Sequence, residues 1–219
     1  MKALKKVANG ATALVLAVSS VLPLTISNVV HADTEPVCAW VGGGDGTSFN
    51  DASNWTNYDS TGGCSNSGLP ATGDNLAFPD NNLSGSVTLN NNLSNLSVRG
   101  IVFNGDGTSG HTYGYTLTGN AITVTESLIG DGNPYNVIST DLTLGSDVLV
   151  PYADNGAYVN LYKTSGTQTL NLNGHTLTIG GQLSPDKITG SGTISVSANG
   201  YLSFSQSSAA SDWSGTLNL

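Results

Sequence analysis

The stretch Tyr115-Thr116-Leu117-Thr118-Gly119-Asn120-Ala121-Ile122-Thr123-Val124 returns, in pattern, as Leu170-Asn171-Leu172-Asn173-Gly174-His175-Thr176-Leu177-Thr178-Ile179. Leu117, Ile122 and Val124 align with Leu172, Leu177 and Ile179, and Gly119 aligns with Gly174, at an offset of 55 residues. Ser139 to Val150 and Gly190 to Phe204 are looser copies. Within each copy, apolar and polar residues alternate in twos, the period of a strand with one buried face. An offset of this size equals two or three coils of about 20–25 residues, and repeats at such periods mark solenoids whose coils bury apolar residues against their neighbours. Leu, Ile and Val would stack inward, while Thr, Ser and Asn would face water. Gly and Asn suit the corners because they tolerate left-handed backbone angles. The expected fold is therefore all-β, a β-solenoid. The alternative is a β-sandwich, which also uses short alternating strands.

Further bursts carry the same alternation to either side. They include Ser97 to Phe103, Leu142-Thr143-Leu144, Val148-Leu149-Val150, Ile194-Ser195-Val196 and Tyr201 to Phe204. No segment after Ala32 shows a helical period.

The N-terminus reads differently. Lys2, Lys5 and Lys6 form a basic start, Ala11 to Ile26 is largely apolar, and Val30-His31-Ala32 offers small or modest residues at a cleavage site. This order is that of a secretory signal peptide, residues 1–32, and it places the mature chain outside the cell or at its surface. Pro23, Thr25 and Ser27 break the apolar run, which makes it short for a membrane anchor. No later run approaches membrane length. Three of the six Lys and Arg lie in the leader and all 15 Asp and Glu follow it, which leaves the processed chain at −12. Such a surface opposes nucleic acid, whose binding relies on Lys and Arg at phosphates. It also repels anionic lipid headgroups.

The two cysteines, Cys38 and Cys64, follow the predicted cut. An isolated pair in an oxidising compartment usually bridges, and a loop of this size would contribute about 3 kcal/mol in the chain-entropy model. Free buried thiols and a reactive pair are the alternatives. The surrounding residues 33–79 also hold Trp40 and Trp55 and many turn residues. They read as a cap over the first coil, because solenoid ends expose strand edges and apolar faces. Residues 80–219 then hold the solenoid repeats.

The cap carries the most specific motif. Trp40-Val41-Gly42-Gly43-Gly44-Asp45-Gly46 precedes Phe49-Asn50-Asp51-Ala52-Ser53-Asn54-Trp55, and Gly68-Leu69-Pro70-Ala71-Thr72-Gly73-Asp74-Asn75-Leu76-Ala77-Phe78 follows. In that order, with Ile101 to Gly105 and Tyr115 to Val124 behind them, the chain resembles bacterial autotransporter-associated β-strand repeat proteins. The resemblance covers roughly residues 38–204. It implies a right-handed parallel β-helix, displayed at the surface or released, that serves in adhesion or scaffolding rather than catalysis. Implied partners are a host or neighbouring-cell surface, its glycans or proteins. The chain departs from the family by carrying no C-terminal barrel translocator, and Gly215 to Leu219 reads as mid-coil. A piece of a longer protein or a short secreted relative is expected.

Candidate chemistry is sparse. His111 and His175 fall at turns, and no Gly-x-Ser-x-Gly elbow accompanies them. A polysaccharide-active enzyme would draw its carboxylate pair from Asp141, Asp147, Asp154 and Asp186, or a basic residue from Arg99, Lys163 and Lys187. Asp45 with Asp51, or Asn104 with Asp106, would supply hard oxygen ligands for calcium, but neither set follows an EF-hand spacing. No catalytic residue, metal ligand or cofactor is assigned. Tyr152, Tyr158 and Tyr162, with Trp213 further on, form a candidate sugar-stacking platform. Core or edge packing is the plainer role for those rings.

Overall fold

The computed structural model describes residues 37–57, 64–79, 83–104, 112–130, 133–152, 158–204 and 212–219. All of these lie in one compact unit, Thr34–Leu219. The leader with its cut site lies outside the described residues, as do Asp106, His111 and Asp154. No described helix is long and apolar enough to cross a membrane.

This unit is all-β. Two strands open it, β1 (Val37–Trp40) and β2 (Trp55–Asn57), followed by β3 (Asn75–Phe78). From there the chain runs in successive passes. The first pass holds β4 (Val87–Asn91) and β5 (Ser97–Phe103); the second holds β6 (Tyr115–Gly119) and β7 (Ile122–Ile129). The next carries β8 (Val137–Ile138), β9 (Leu142–Leu144) and β10 (Val148–Val150), and its successor β11 (Tyr158–Leu161), β12 (Thr169–Asn171) and β13 (Thr176–Ile179). The last two passes hold β14 (Gln182–Pro185) with β15 (Lys187–Val196), then β16 (Tyr201–Leu202) with β17 (Asp212–Asn218).

The first strand of each pass joins a six-stranded sheet in the order β16-β14-β11-β8-β6-β4. The remaining strands form an eleven-stranded sheet. Among the named pairs only β1–β2 is antiparallel, so the antiparallel sandwich does not describe this chain. Two long strands bridge neighbouring short ones. β7 meets β9 at its start and β10 near its end, and β15 meets β12 and then β13. The pairing consequently closes a ring of six strands, β7-β10-β13-β15-β12-β9.

Parallel register stacks like on like. Leu76, Ile101 and Leu128 occupy one row, and Leu89, Leu117 and Ile138 another. Ile122, Leu142, Leu170 and Ile188 make a third, and Val148, Leu177 and Ile194 a fourth. All of these side chains are buried. Each contributes about 1.5–3 kcal/mol of burial relative to exposure, which explains why the short bursts hold together although none would stand alone. From β3 onward, paired residues lie about 17–29 residues apart in sequence.

The aligned repeats do not share rows. Leu117 stands in the six-stranded sheet, whereas Leu170 and Leu177 stand in the other. Ile122 shares its row with Leu142, Leu170 and Ile188 rather than with Leu177. What recurs is a local unit of strand, corner and strand. Its corner glycine is left-handed both times, φ +94° at Gly119 and +88° at Gly174, a conformation that side chains with a Cβ rarely adopt. The expected cap is likewise continuous with the sheet, since β3 pairs in parallel with both β1 and β5.

Candidate functional site

Three groups of residues bear on function. The first is the loop from Gly42 to Asn54. Cys38 and Cys64 are joined by a disulfide beside it. Trp40 and Trp55 meet edge to face with ring centres 4.9 Å apart, and Phe49 meets Trp55 at the same distance. Phe78 continues the cluster to Phe103 and Tyr115 at 5.7 Å each. Trp40 and Trp55 thus pack on each other and on Phe49, and Trp55 reaches Phe78 of β3 at 5.9 Å; it is Phe78 that carries the contact on to Phe103 of the first pass. The Trp55 indole N–H donates to the Phe49 carbonyl at 2.9 Å, so this buried ring has its polar atom satisfied.

Asn54, wholly buried, organises the Gly-rich turn. Its Oδ1 accepts from the backbone N–H of Gly44 (2.9 Å) and Gly46 (3.0 Å), and its Nδ2 donates to Asp45 Oδ1 (2.7 Å) and the Ser48 carbonyl (3.0 Å). Asp45 Oδ1 also accepts from the N–H groups of Thr47 and Ser48, 2.8 Å each. The Ser48 hydroxyl, the Ser48 and Thr47 amides and the Asn54 side chain hold the Asp45 carboxyl well below the usual carboxylate range. Asp51 accepts from Asp45 N–H through Oδ2 (2.9 Å) and from Ser53 N–H through Oδ1 (3.0 Å). The carboxylates read as calcium ligands thus serve the loop's own amides. Among the described residues no group of three or more His, Cys, Asp or Glu is placed to hold a metal ion.

The second group is the set of charges. Arg99 Nε donates to Glu126 Oε2 at 2.7 Å, with Nη2 at 2.6 Å from the same oxygen. Lys163 Nζ lies 2.8 Å from Asp141, and Lys187 Nζ 2.7 Å from Asp212. Each of the three basic candidates therefore faces a carboxylate on a neighbouring pass. Asp141 also accepts the Thr169 N–H (2.9 Å), and buried Asp186 accepts the N–H groups of Lys163 and Gln168 (3.0 Å each). Asp141, Lys163 and Asp186 thus come together around the turn between β11 and β12. Gln168 is buried beside them, with Nε2 donating to the carbonyls of Thr140 and Thr169 and with no partner for Oε1. His175 Nδ1 lies 3.9 Å from Asp147, whose carboxylate caps the Thr176 N–H at 2.8 Å.

The third group is aromatic. Tyr158 on β11 is level with Gln182 on β14, and Gln182 with Tyr201 on β16. Trp213 sits on β17 of the other sheet, where its indole N–H donates to the Gly192 carbonyl at 3.3 Å. Tyr152 is exposed after β10, and Tyr162 follows β11, its carbonyl accepting from the Ser139 hydroxyl at 2.7 Å. Of the four residues in the expected platform, only Tyr158 lies in that row, and the register brings it to Tyr201 instead. Tyr135 is not singled out in the sequence, and Tyr201 reads there only as a strand residue. Tyr158 follows Tyr135 by 23 residues, about one pass, and Tyr201 follows Tyr158 by 43, about two, and that spacing was the available signal. No protein-family model, no curated protein and no solved structure matches the chain.

Proposed function

We propose that the chain is an exported, non-catalytic β-helical protein that serves as an adhesion or scaffolding module at the cell surface or in the medium. The observation that carries this reading is the set of inward rows. Leu, Ile and Val return to the same position after each pass, as in a solenoid whose length is set by repetition rather than by a central cleft. Parallel strands joined by crossovers are right-handed in nearly all proteins, which supports that hand for the winding.

Support for export comes from the leader composition and from the disulfide, since such bonds persist in oxidising compartments. The pairing of Arg99, Lys163 and Lys187 with carboxylates weighs against their use as the proton-abstracting base of a lyase. The acidic, low-lysine surface favours a soluble display module over one that binds nucleic acid.

The test is export itself. The full chain with a C-terminal epitope is expressed in a bacterium, the cells are fractionated, and the product is sequenced from its N-terminus. A product beginning near Asp33, in the medium or protease-accessible on intact cells, is the expected result. A product retained inside the cell with Met1 in place would overturn the reading.

A further inference from the structure

We propose that the outer face of the six-stranded sheet binds a neutral polysaccharide, centred on Tyr158, Gln182 and Tyr201. The proposal rests on the display reading only for its biological setting; its chemistry comes from the face itself.

Three adjacent strands put the residues in one row, Tyr158 to Gln182 to Tyr201. Their neighbours Val159 and Leu183 are buried and Leu202 packs on the core, so alternation turns the three residues outward. Tyr201 is 58% exposed. Neighbouring strands lie about 4.8 Å apart, which spaces the two tyrosines about 10 Å apart across Gln182. A linear glycan running across the strands would place a ring on each tyrosine and present the sugar between them to the Gln182 amide. Tyr135, 50% exposed, stands near the same edge, two residues before Val137, which pairs with Asn160.

The chemistry around the row is uniform. The next outward positions are Asn160, Ser184 and Ser203, and the hydroxyls of Ser184 and Ser203 share a hydrogen bond of 2.8 Å. No residue in the strands of this sheet is charged, whereas the strands of the larger sheet carry Arg99, Glu126, Lys187 and Asp212. In a processed chain of net charge −12, that neutrality is selective. An anionic glycan or phosphate would find no cation in the strands of this face and would meet the repulsion of the whole molecule. A basic peptide would find no carboxylate in those strands. Tyrosine rings offer apolar faces for the C–H side of a sugar, and amide and hydroxyl groups beside them orient its hydroxyls.

The purified protein is run in affinity electrophoresis against soluble β-glucan, xylan and galactomannan as neutral probes, with alginate and polygalacturonate as anionic ones. Retention by at least one neutral probe is expected. Tyr158→Ala and Tyr201→Ala should each weaken it about tenfold, as loss of an aromatic anchor does, and exposed Tyr152→Ala should leave it unchanged. Thermal melting of each variant checks the fold; if Tyr158→Ala melts early, the more exposed Tyr201→Ala decides. No neutral retention, retention by anionic probes alone, or wild-type retention by Tyr201→Ala would overturn the proposal. Because export is scored in cells and binding on purified protein, either reading can fail while the other stands.

Discussion

The two ends of the described strands treat their apolar residues in opposite ways. At the disulfide end, Trp40, Phe49 and Trp55 are buried, and their rings pass contact to Phe78 and Phe103 in the first strands beyond. Along β17, every residue except half-buried Trp213 is exposed, and Leu217 is 48% exposed although it stands level with buried Ile194. Both ends have strand partners. Backbone pairing therefore does not by itself bury a side chain. It gives the strand its hydrogen bonds, while burial needs a second layer of atoms over the row. Aromatic rings and a cross-link supply that layer at one end. Substitutions should accordingly cost much at the cap and little at β17.

The largest expected effect is that of Phe49→Ala. Its ring touches Trp40, Trp55 and Phe78 and is wholly buried, and truncating such a ring costs about 3–5 kcal/mol. Urea denaturation measures it, and a loss below 1 kcal/mol would show that the cluster is not what secures this end. Next comes the cross-link. Replacing Cys38 and Cys64 together with Ser should cost about 3 kcal/mol, chiefly by freeing the unfolded chain. The same loss should follow reduction of the native protein, read as a fall in melting temperature with dithiothreitol.

Asp45→Asn probes the polar half of the cap and does so through pH. Hydrogen bonds to its carboxylate, the Ser48 hydroxyl first, depress its folded pKa below the unfolded value of about 3.9. A depressed carboxylate contributes stability that is fully present above the unfolded pKa and is lost as pH falls through the folded one. The wild type should thus melt above the Asn variant by a constant margin from about pH 5 to 7, and the margin should shrink below about pH 4. A margin that does not vary with pH would assign the effect to geometry alone. The smallest effect is expected at the other end, where Leu217→Ala should change stability by no more than about 0.5 kcal/mol. A loss near that of Phe49→Ala would erase the difference between the ends.

Much of the fold was legible in the sequence because its signals are local. Alternation in Ile122-Thr123-Val124 states which side of a strand is inside, whatever the strand pairs with. The left-handed corners at Gly119 and Gly174 announced themselves for the same reason. The candidate site was less legible. Asp45 and Asp51 resemble calcium ligands in composition, yet the turn folds its own amides onto their oxygens. Tyr162 and Tyr152 lie near Tyr158 in sequence, whereas its row continues through Gln182 to Tyr201.

By itself the sequence determined the strand class, the inward and outward faces, the glycine corners and the Cys38 and Cys64 pair. These depend on side-chain size, backbone freedom and the count of thiols, all properties of a few residues. Only the tertiary structure decided which rows stack, that Ile122 and Leu177 do not share one, that each of Arg99, Lys163 and Lys187 meets a carboxylate on a neighbouring pass, and that two tyrosines line a neutral face. Those outcomes depend on register between strands whose separation varies from 17 residues at Leu177 and Ile194 to 29 at Val150 and Ile179. Loops of unequal length set that register, and the burial of whole rows selects it, so no fixed sequence offset encodes it.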